Sequence, residues 1–219
     1  MVQKNMILDL FFPPRCPFCG RIMSIGSSGA CESCAKKLPY VEQGKILRKV
    51  GKHTCAVTFY YEDMVRSGIH ALKFQKRYPR AKAFAPYLIQ TIAEELGGEF
   101  DAVTYVPISS LRRVRRGFDQ TALLARYTAA AWDVKLQKTL RKTRNNPPQS
   151  SVKNWQSRRK NVENVFCTVP GAHIAGRRFL LIDDITTSGS TLTVCADLLL
   201  KAGAKSVVCA ALAGSRADK

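Results

Sequence analysis

Beyond residue 54, the apolar positions of the chain follow two periods, one typical of helices and one typical of buried strands. Apolar residues three or four positions apart predict helices over 62–76, 83–96, 118–132 and 190–201. Short apolar runs predict strands over 101–108, 134–140, 178–183 and 205–212. Because strands alternate with helix-length segments, we expect parallel βαβ units and therefore an α/β fold. Ligands of such sheets bind beyond the carboxyl ends of the strands.

The chain before residue 54 has a different composition. It holds four cysteines in two close pairs, several glycines and prolines, and little periodic pattern. We therefore predict a small head over residues 1–54 and an α/β domain over residues 55–219.

The cysteine pairs of the head have the spacing C-x2-C-x11-C-x2-C, formed by Cys16, Cys19, Cys31 and Cys34. Two such knuckles place four thiolates tetrahedrally around one Zn²⁺, and a full set of protein ligands indicates a structural ion. Two disulfides are the alternative. The other four cysteines stand alone among apolar neighbours, and we interpret them as core residues: Cys55, Cys167, Cys195 and Cys209.

The chemistry of the second unit centres on the segment that follows the apolar strand 179–182. Two acids, Asp183 and Asp184, are followed by a loop rich in hydroxyl groups and then by a predicted helix. A turn from strand to helix presents free backbone N–H groups to an anion, and vicinal carboxylates accept hydrogen bonds from ribose hydroxyls or reach Mg²⁺. The loop residues that we expect to hold a phosphate are Thr186, Thr187, Ser188, Gly189, Ser190 and Thr191. The alternative is a helix cap at Asp183 followed by an ordinary polar turn.

The charge of the chain is unusual, because 35 Lys and Arg face 16 Asp and Glu and the formal net charge is +19. Such a surplus indicates a polyanionic partner, although a solvated basic surface remains the alternative. The apolar run near the N-terminus is too short for a signal peptide, and no stretch reaches the length of a membrane span. We expect a cytoplasmic protein without membrane insertion, in which clustered thiols bind metal.

Residues 179–191 resemble the signature with which type I phosphoribosyltransferases bind phosphoribosyl pyrophosphate (PRPP). Further segments resemble the ComF family, so that the resemblance extends from about residue 8 to 213. Residues 105–109 and 112–120 are similar to its VPxS…RxRGFNQ segment, 69–74 to its IHxLKF element, and 141–144 to its basic loop. Asp119 stands where that family usually has Asn, which adds a negative charge next to the segment expected to bind pyrophosphate.

The resemblance implies a type I phosphoribosyltransferase core preceded by a zinc ribbon with four cysteine ligands. It implies that Asp183 and Asp184 are the catalytic acids and hold the ribose, that loop 186–191 holds the 5′-phosphate, and that Mg²⁺ accompanies PRPP. The residues expected around the pyrophosphate are Pro107, Ile108, Ser109, Arg112, Arg116 and Lys73. Residues 141–161 correspond to a loop that closes over the site.

Two functions remain open at this point. The ComF resemblance favours a PRPP-binding protein that acts on internalised single-stranded DNA in natural transformation, together with a helicase or ATPase. The alternative is an active phosphoribosyltransferase with an unidentified nucleobase or amine acceptor. The candidate DNA contacts are Arg113, Arg115, Arg141, Arg144, Arg158 and Arg159.

Overall fold

The computed structural model of the chain describes residues 13–24, 27, 29–74, 79–144 and 165–216, with the backbone alone at residues 73, 74, 79 and 80. The helices are α1 (Glu32–Ala35), α2 (Asp63–Phe74), α3 (Pro79–Leu96), α4 (Ser110–Arg116), α5 (Gln120–Ala131) and α6 (Ser190–Lys201). The strands are β1 (Leu47–Val50), β2 (His53–Tyr60), β3 (Ala102–Tyr105), β4 (Lys135–Leu136), β5 (Leu140–Lys142), β6 (Phe166–Thr168), β7 (Arg178–Thr186) and β8 (Ser206–Gly214).

Six of the strands form one sheet in the order β1-β2-β8-β7-β3-β4. The edge strand β1 is antiparallel to β2, and every other neighbouring pair is parallel. Strands β5 and β6 form a separate antiparallel pair. The predicted α/β fold with a parallel sheet is confirmed.

The sheet is covered on both faces, which is the usual condition of a parallel sheet. Side chains of β7 alternate between the two faces, as the pleat requires. Leu180 and Ile182 belong to the core under α2, α3 and α5, whereas Phe179 and Leu181 belong to the core under α6, β5 and β6.

The elements differ from the predicted ones where a local pattern was ambiguous. Helix α6 has the predicted bounds, but the predicted strand 134–140 is divided between β4, which pairs with β3, and β5, which pairs with β6. Strands β1 and β2 were not predicted, and the composition shift at residue 54 falls at the second residue of β2. Helix α4 was interpreted only as a basic run.

The cysteine head shares the core of the α/β domain. The ring of Phe18 lies edge-on to Phe59, Phe84 and Tyr87, at centroid distances of 5.9, 5.2 and 6.0 Å. The N–H of Ala30 donates to the Tyr87 hydroxyl over 2.8 Å. A Cβ built on Gly68 of α2 would lie 2.8 Å from the carbonyl oxygen of Pro17, so the head and α2 approach at backbone distance. The head is therefore packed as part of the domain.

Within the described ranges, no helix combines the length and the apolar character that crossing a membrane requires.

We expect Phe18→Ala to lower the free energy of unfolding of the whole chain by about 3–5 kcal/mol, because it leaves a cavity among three aromatic rings. Ile22→Ala in the same head is the matched control, since Ile22 is 55% exposed and surface substitutions change stability by about 0.5 kcal/mol or less. Chemical denaturation with intrinsic fluorescence measures both. Equal effects of the two substitutions would contradict a shared core.

Candidate functional site

The two consecutive acids of β7 lie on opposite faces of the sheet. Asp183 and Asp184 are 8% and 6% exposed. The Oδ2 atom of Asp184 accepts a hydrogen bond from Gln120 Nε2 of α5 over 3.2 Å. Asp183 Oδ1 accepts from the backbone N–H of Asp184 over 2.8 Å, and its charge acts on Lys142 of β5 and Cys195 of α6. Each carboxylate therefore has its own surroundings.

Gln120 connects Asp184 to the basic helix α4. Its side chain is 2% exposed, and its Oε1 accepts from Arg116 Nη1 over 3.1 Å. Burial lowers the pKa of Arg116, and the Asp184 carboxylate opposes that shift. The neutral amide of Gln120 thus orients one carboxylate oxygen of Asp184 and links it to the Arg116 guanidinium. Gln120 belongs to the family-like segment 112–120, but sequence reasoning gave it no role in the site.

Asp119 ties the loop after β3 to helix α5. Its Oδ1 accepts from the N–H groups of Thr121 and Ala122, over 3.0 and 3.1 Å, and so caps α5. Its Oδ2 accepts from the N–H of Ile108 over 3.3 Å. Burial raises the pKa of Asp119, while these backbone hydrogen bonds oppose the shift. An Asn side chain has only one acceptor oxygen and could not serve both elements in this way.

The bond to Asp119 bears on the expected pyrophosphate residues, because it occupies the backbone donor of Ile108. The neighbouring Pro107 has no N–H. Ser109 is buried, and its Oγ accepts from Arg112 N over 3.4 Å at the start of α4. In this structure the loop 107–109 is thus held to α4 and α5 by its own polar groups.

Helix α4 presents its arginines in two directions. Arg112 and Arg116 are partly buried toward the site, whereas Arg113 and Arg115 are exposed. On the same helix, the apolar side chains of Leu111 and Val114 are 67% and 81% exposed. Arg141 and Arg144 are also exposed, while Arg158, Arg159 and the side chain of Lys73 lie outside the described residues.

Lys142 is a partly buried cation that sequence reasoning did not place in the site. It pairs with Phe166 across β5 and β6, and its ammonium lies 5.5 Å from the centre of that ring. Burial lowers the pKa of Lys142 to about 8, with Arg112 acting in the same direction and Cys195 and Asp183 opposing it. The sequence feature that could have pointed to Lys142 was its position inside the basic segment 141–144.

The loop of hydroxyl residues joins the end of β7 to the start of α6. Thr186 and Ser190 are buried, Ser188 is partly buried and Thr187 is exposed. The hydroxyl oxygens of Ser188 and Ser190 lie 2.9 Å apart. Thr191 lies in the first turn of α6.

Position 189 requires a glycine for two reasons, its backbone conformation and a neighbouring side chain on the edge strand β1. Its φ is +72°, and a built Cβ would lie 2.6 Å from Val50 Cγ1 of β1. Both observations exclude a side chain, and they differ from the close approach to phosphate that the sequence suggested. The turn between β1 and β2 is also tied to α6, because buried His53 Nε2 lies 2.9 Å from Asp197 Oδ1.

The four cysteines of the head form the expected cluster. Their sulfur atoms all lie within 4.8 Å of one another, and the Sγ atoms of Cys19 and Cys31 are 3.7 Å apart. Zinc–sulfur bonds of about 2.3 Å imply a tetrahedral edge of about 3.8 Å, whereas a disulfide would require about 2.05 Å. The cluster therefore fits a structural zinc ion, and none of the eight cysteines, all of which the structure describes, forms a disulfide. Cys55, Cys195 and Cys209 are buried as expected, and Cys167 is only partly buried.

A phosphoribosyl transferase domain model matches residues 88–219, and a double zinc ribbon domain model matches residues 7–60. The chain therefore belongs to the phosphoribosyl transferase domain family. It is 30% identical to the DNA utilization protein YhgH of Salmonella typhimurium over 88% of this chain and 80% of that protein. It is 26% identical to competence protein F of Haemophilus influenzae over 90% and 95% of the two chains. These relatives confirm the resemblance to the ComF family.

Among solved structures, the chain is similar to the glutamine PRPP amidotransferase of B. subtilis, with 25% identity and a TM-score of 0.42. The similarity covers 60% of this chain and only 26% of that one.

Proposed function

We propose that this protein binds PRPP with Mg²⁺ at the carboxyl end of β7 and handles single-stranded DNA in the cytoplasm during DNA uptake. The observation that carries the proposal is the pair of buried carboxylates, Asp183 and Asp184, followed directly by a hydroxyl loop at the start of α6. Carboxylates at the carboxyl end of a parallel strand lie where ligands of such sheets bind, and they can accept hydrogen bonds from sugar hydroxyls. The family of the chain supports a phosphoribosyl ligand as the bound group.

In the proposed complex, the ribose hydroxyls donate to the carboxylates and the 5′-phosphate accepts from loop 186–191. The N-terminus of α6 adds the positive end of a helix dipole to the phosphate site. The charge of the pyrophosphate is balanced by cations that converge from two elements, namely Arg112 and Arg116 of α4 and Lys142 of β5. We also assign Lys73 and Mg²⁺ to the pyrophosphate.

The DNA part of the proposal rests on charge and on relatives. A net charge of +19 far exceeds what one small anion needs, and Arg113, Arg115, Arg141 and Arg144 are all exposed. Relatives that bear the names DNA utilization protein and competence protein support a role in DNA uptake. Basic grooves bind single strands mainly through phosphates. A helicase or ATPase would act beside this protein.

The PRPP site is tested by isothermal titration calorimetry of PRPP with Mg²⁺. We expect Asp183→Asn and Asp184→Asn each to weaken binding on the order of 10- to 100-fold, since each loses a charge-assisted hydrogen bond. Asp133→Asn is the matched control, because Asp133 is exposed, precedes β4 at the amino edge of the sheet and has a φ of 51° that Asn tolerates. Unchanged affinity in both β7 variants would exclude this site.

The pH dependence of the same titration tests Lys142. Because the pKa of this ammonium is lowered to about 8, it is charged below that pH and neutral above it. We expect PRPP affinity to begin to fall as the pH approaches 8 and to fall on the order of tenfold as the pH rises further. Lys142→Arg should remove the fall, since arginine stays protonated, and Lys142→Met should bind weakly at every pH. A wild-type fall that persists in Lys142→Arg would assign it to another group.

Fluorescence anisotropy with a labelled thymidine oligonucleotide tests the DNA assignment. Each lost phosphate contact lowers the slope of log affinity against log salt by about 0.7 for single strands. We expect the double variant Arg113→Gln, Arg115→Gln to lose about 1.4 of that slope. The double variant Lys135→Gln, Lys205→Gln, which removes two exposed cations at the amino edge of the sheet, is the control. Equal slopes in the two double variants would remove α4 from the DNA surface.

A further inference from the structure

The segment that follows β8 touches the backbone of the phosphate loop. The N–H of Ser215 donates to the carbonyl oxygen of Thr186 over 3.1 Å. The hydroxyl of Ser215 donates to the carbonyl oxygen of Thr187, also over 3.1 Å. One residue therefore holds the first two carbonyl groups of the loop, 28 positions away along the chain.

These two bonds determine where the next backbone donors point. In a planar trans peptide the C=O and N–H groups point in opposite directions. Because the carbonyls of Thr186 and Thr187 point at Ser215, the N–H groups of Thr187 and Ser188 are turned away from it. Within the described part of the chain, neither of these N–H groups has a hydrogen-bond acceptor.

These two N–H groups turn toward the edge of β7 with which β3 no longer pairs. Pairing of β3 with β7 ends where Val106 N donates to Ile182 O over 2.9 Å. Strand β8, in contrast, continues beside β7 as far as Thr186, opposite Gly214. A donor directed away from β8 at this level therefore faces the end of β3 and the loop that leads into α4.

Ser215 is held by Arg48, and the next residue, Arg216, is held by two further side chains. Arg48 of β1 donates to the Ser215 carbonyl oxygen and lies 5.6 Å from the ring centre of Tyr60. Arg216 lies 4.2 Å from the same ring centre and pairs with Glu62 through two hydrogen bonds. The segment thus has a defined position before any ligand arrives.

We propose that Ser215 is a positioning residue for the phosphate site, in that its hydroxyl aims the N–H groups of Thr187 and Ser188 at the 5′-phosphate of the bound ligand. The inference rests on the proposed function. It adds Ser215, a residue outside the loop that acts on the ligand only through the loop backbone. Preorganised donors bind an anion without the cost of ordering the loop on binding.

The test combines calorimetry with ribose 5-phosphate and PRPP and an amide NMR titration with ribose 5-phosphate. We expect Ser215→Ala to weaken both ligands by the same factor, about three- to tenfold, because it removes one of the two bonds that orient the loop. The ligand-induced shifts of the Thr187 and Ser188 amide signals should shrink with it. Ser215→Thr keeps a hydroxyl and should restore both the affinity and the shifts.

The controls separate this inference from the proposed function and from plain stability. Ser206→Ala removes an exposed hydroxyl at the other end of β8 and should leave both affinities unchanged. Failure of the wild-type protein to bind either ligand would overturn the proposed function. If the wild type binds and Ser215→Ala retains full affinity, the role of Ser215 alone is overturned. The same holds if Ser215→Thr loses as much affinity as Ser215→Ala.

Discussion

The arrangement of the site depends on the unequal pairing of the two edges of β7. On one edge β8 pairs with it as far as Thr186, and on the other β3 leaves after Ile182. After β3 the chain turns away from β7 at Pro107, which has no N–H to donate. The N–H of the next residue, Ile108, donates to Asp119 instead. The pairing of β3 with β7 therefore ends just before the two carboxylates. Ligands of parallel sheets bind beyond the carboxyl ends of the strands at the point where the strand order reverses, and here β3 leads to β4 on one side whereas β7 leads to β8 on the other.

The acids of β7 are stabilised by different means on the two faces of the sheet. On one face Asp184 is bonded to a neutral amide, that of Gln120, which is in turn bonded to Arg116. On the other face Asp183 accepts from the backbone N–H of its neighbour and has Lys142 within electrostatic range. Cations from α4 and β5 therefore lie near the carboxylates on both faces of the sheet.

The head and the β1–β2 segment connect structural stability to the site. Phe18 packs on Phe59 of β2, and that strand lies beside β8, whose last residues lead to Ser215. On the same side, Val50 lies against Gly189 of the phosphate loop. Zinc binding, which organises the head, therefore supports β2 and, through its pairing with β1, the strand that borders the proposed phosphate site.

Local patterns in the sequence determined the parallel α/β fold, the cluster of four cysteines and the acid-hydroxyl segment 183–191, because each depends on residues that are close along the chain. The tertiary structure decided the rest. Gln120, Lys142 and Ser215 join the site only because separate elements meet there, and no short-range periodicity encodes such a meeting. The same holds for the opposite directions of Asp183 and Asp184, which follow from the continuation of β7 beside β8. The sequence thus determined which groups could bind a phosphoribosyl ligand, whereas long-range strand pairing decided where each of them points.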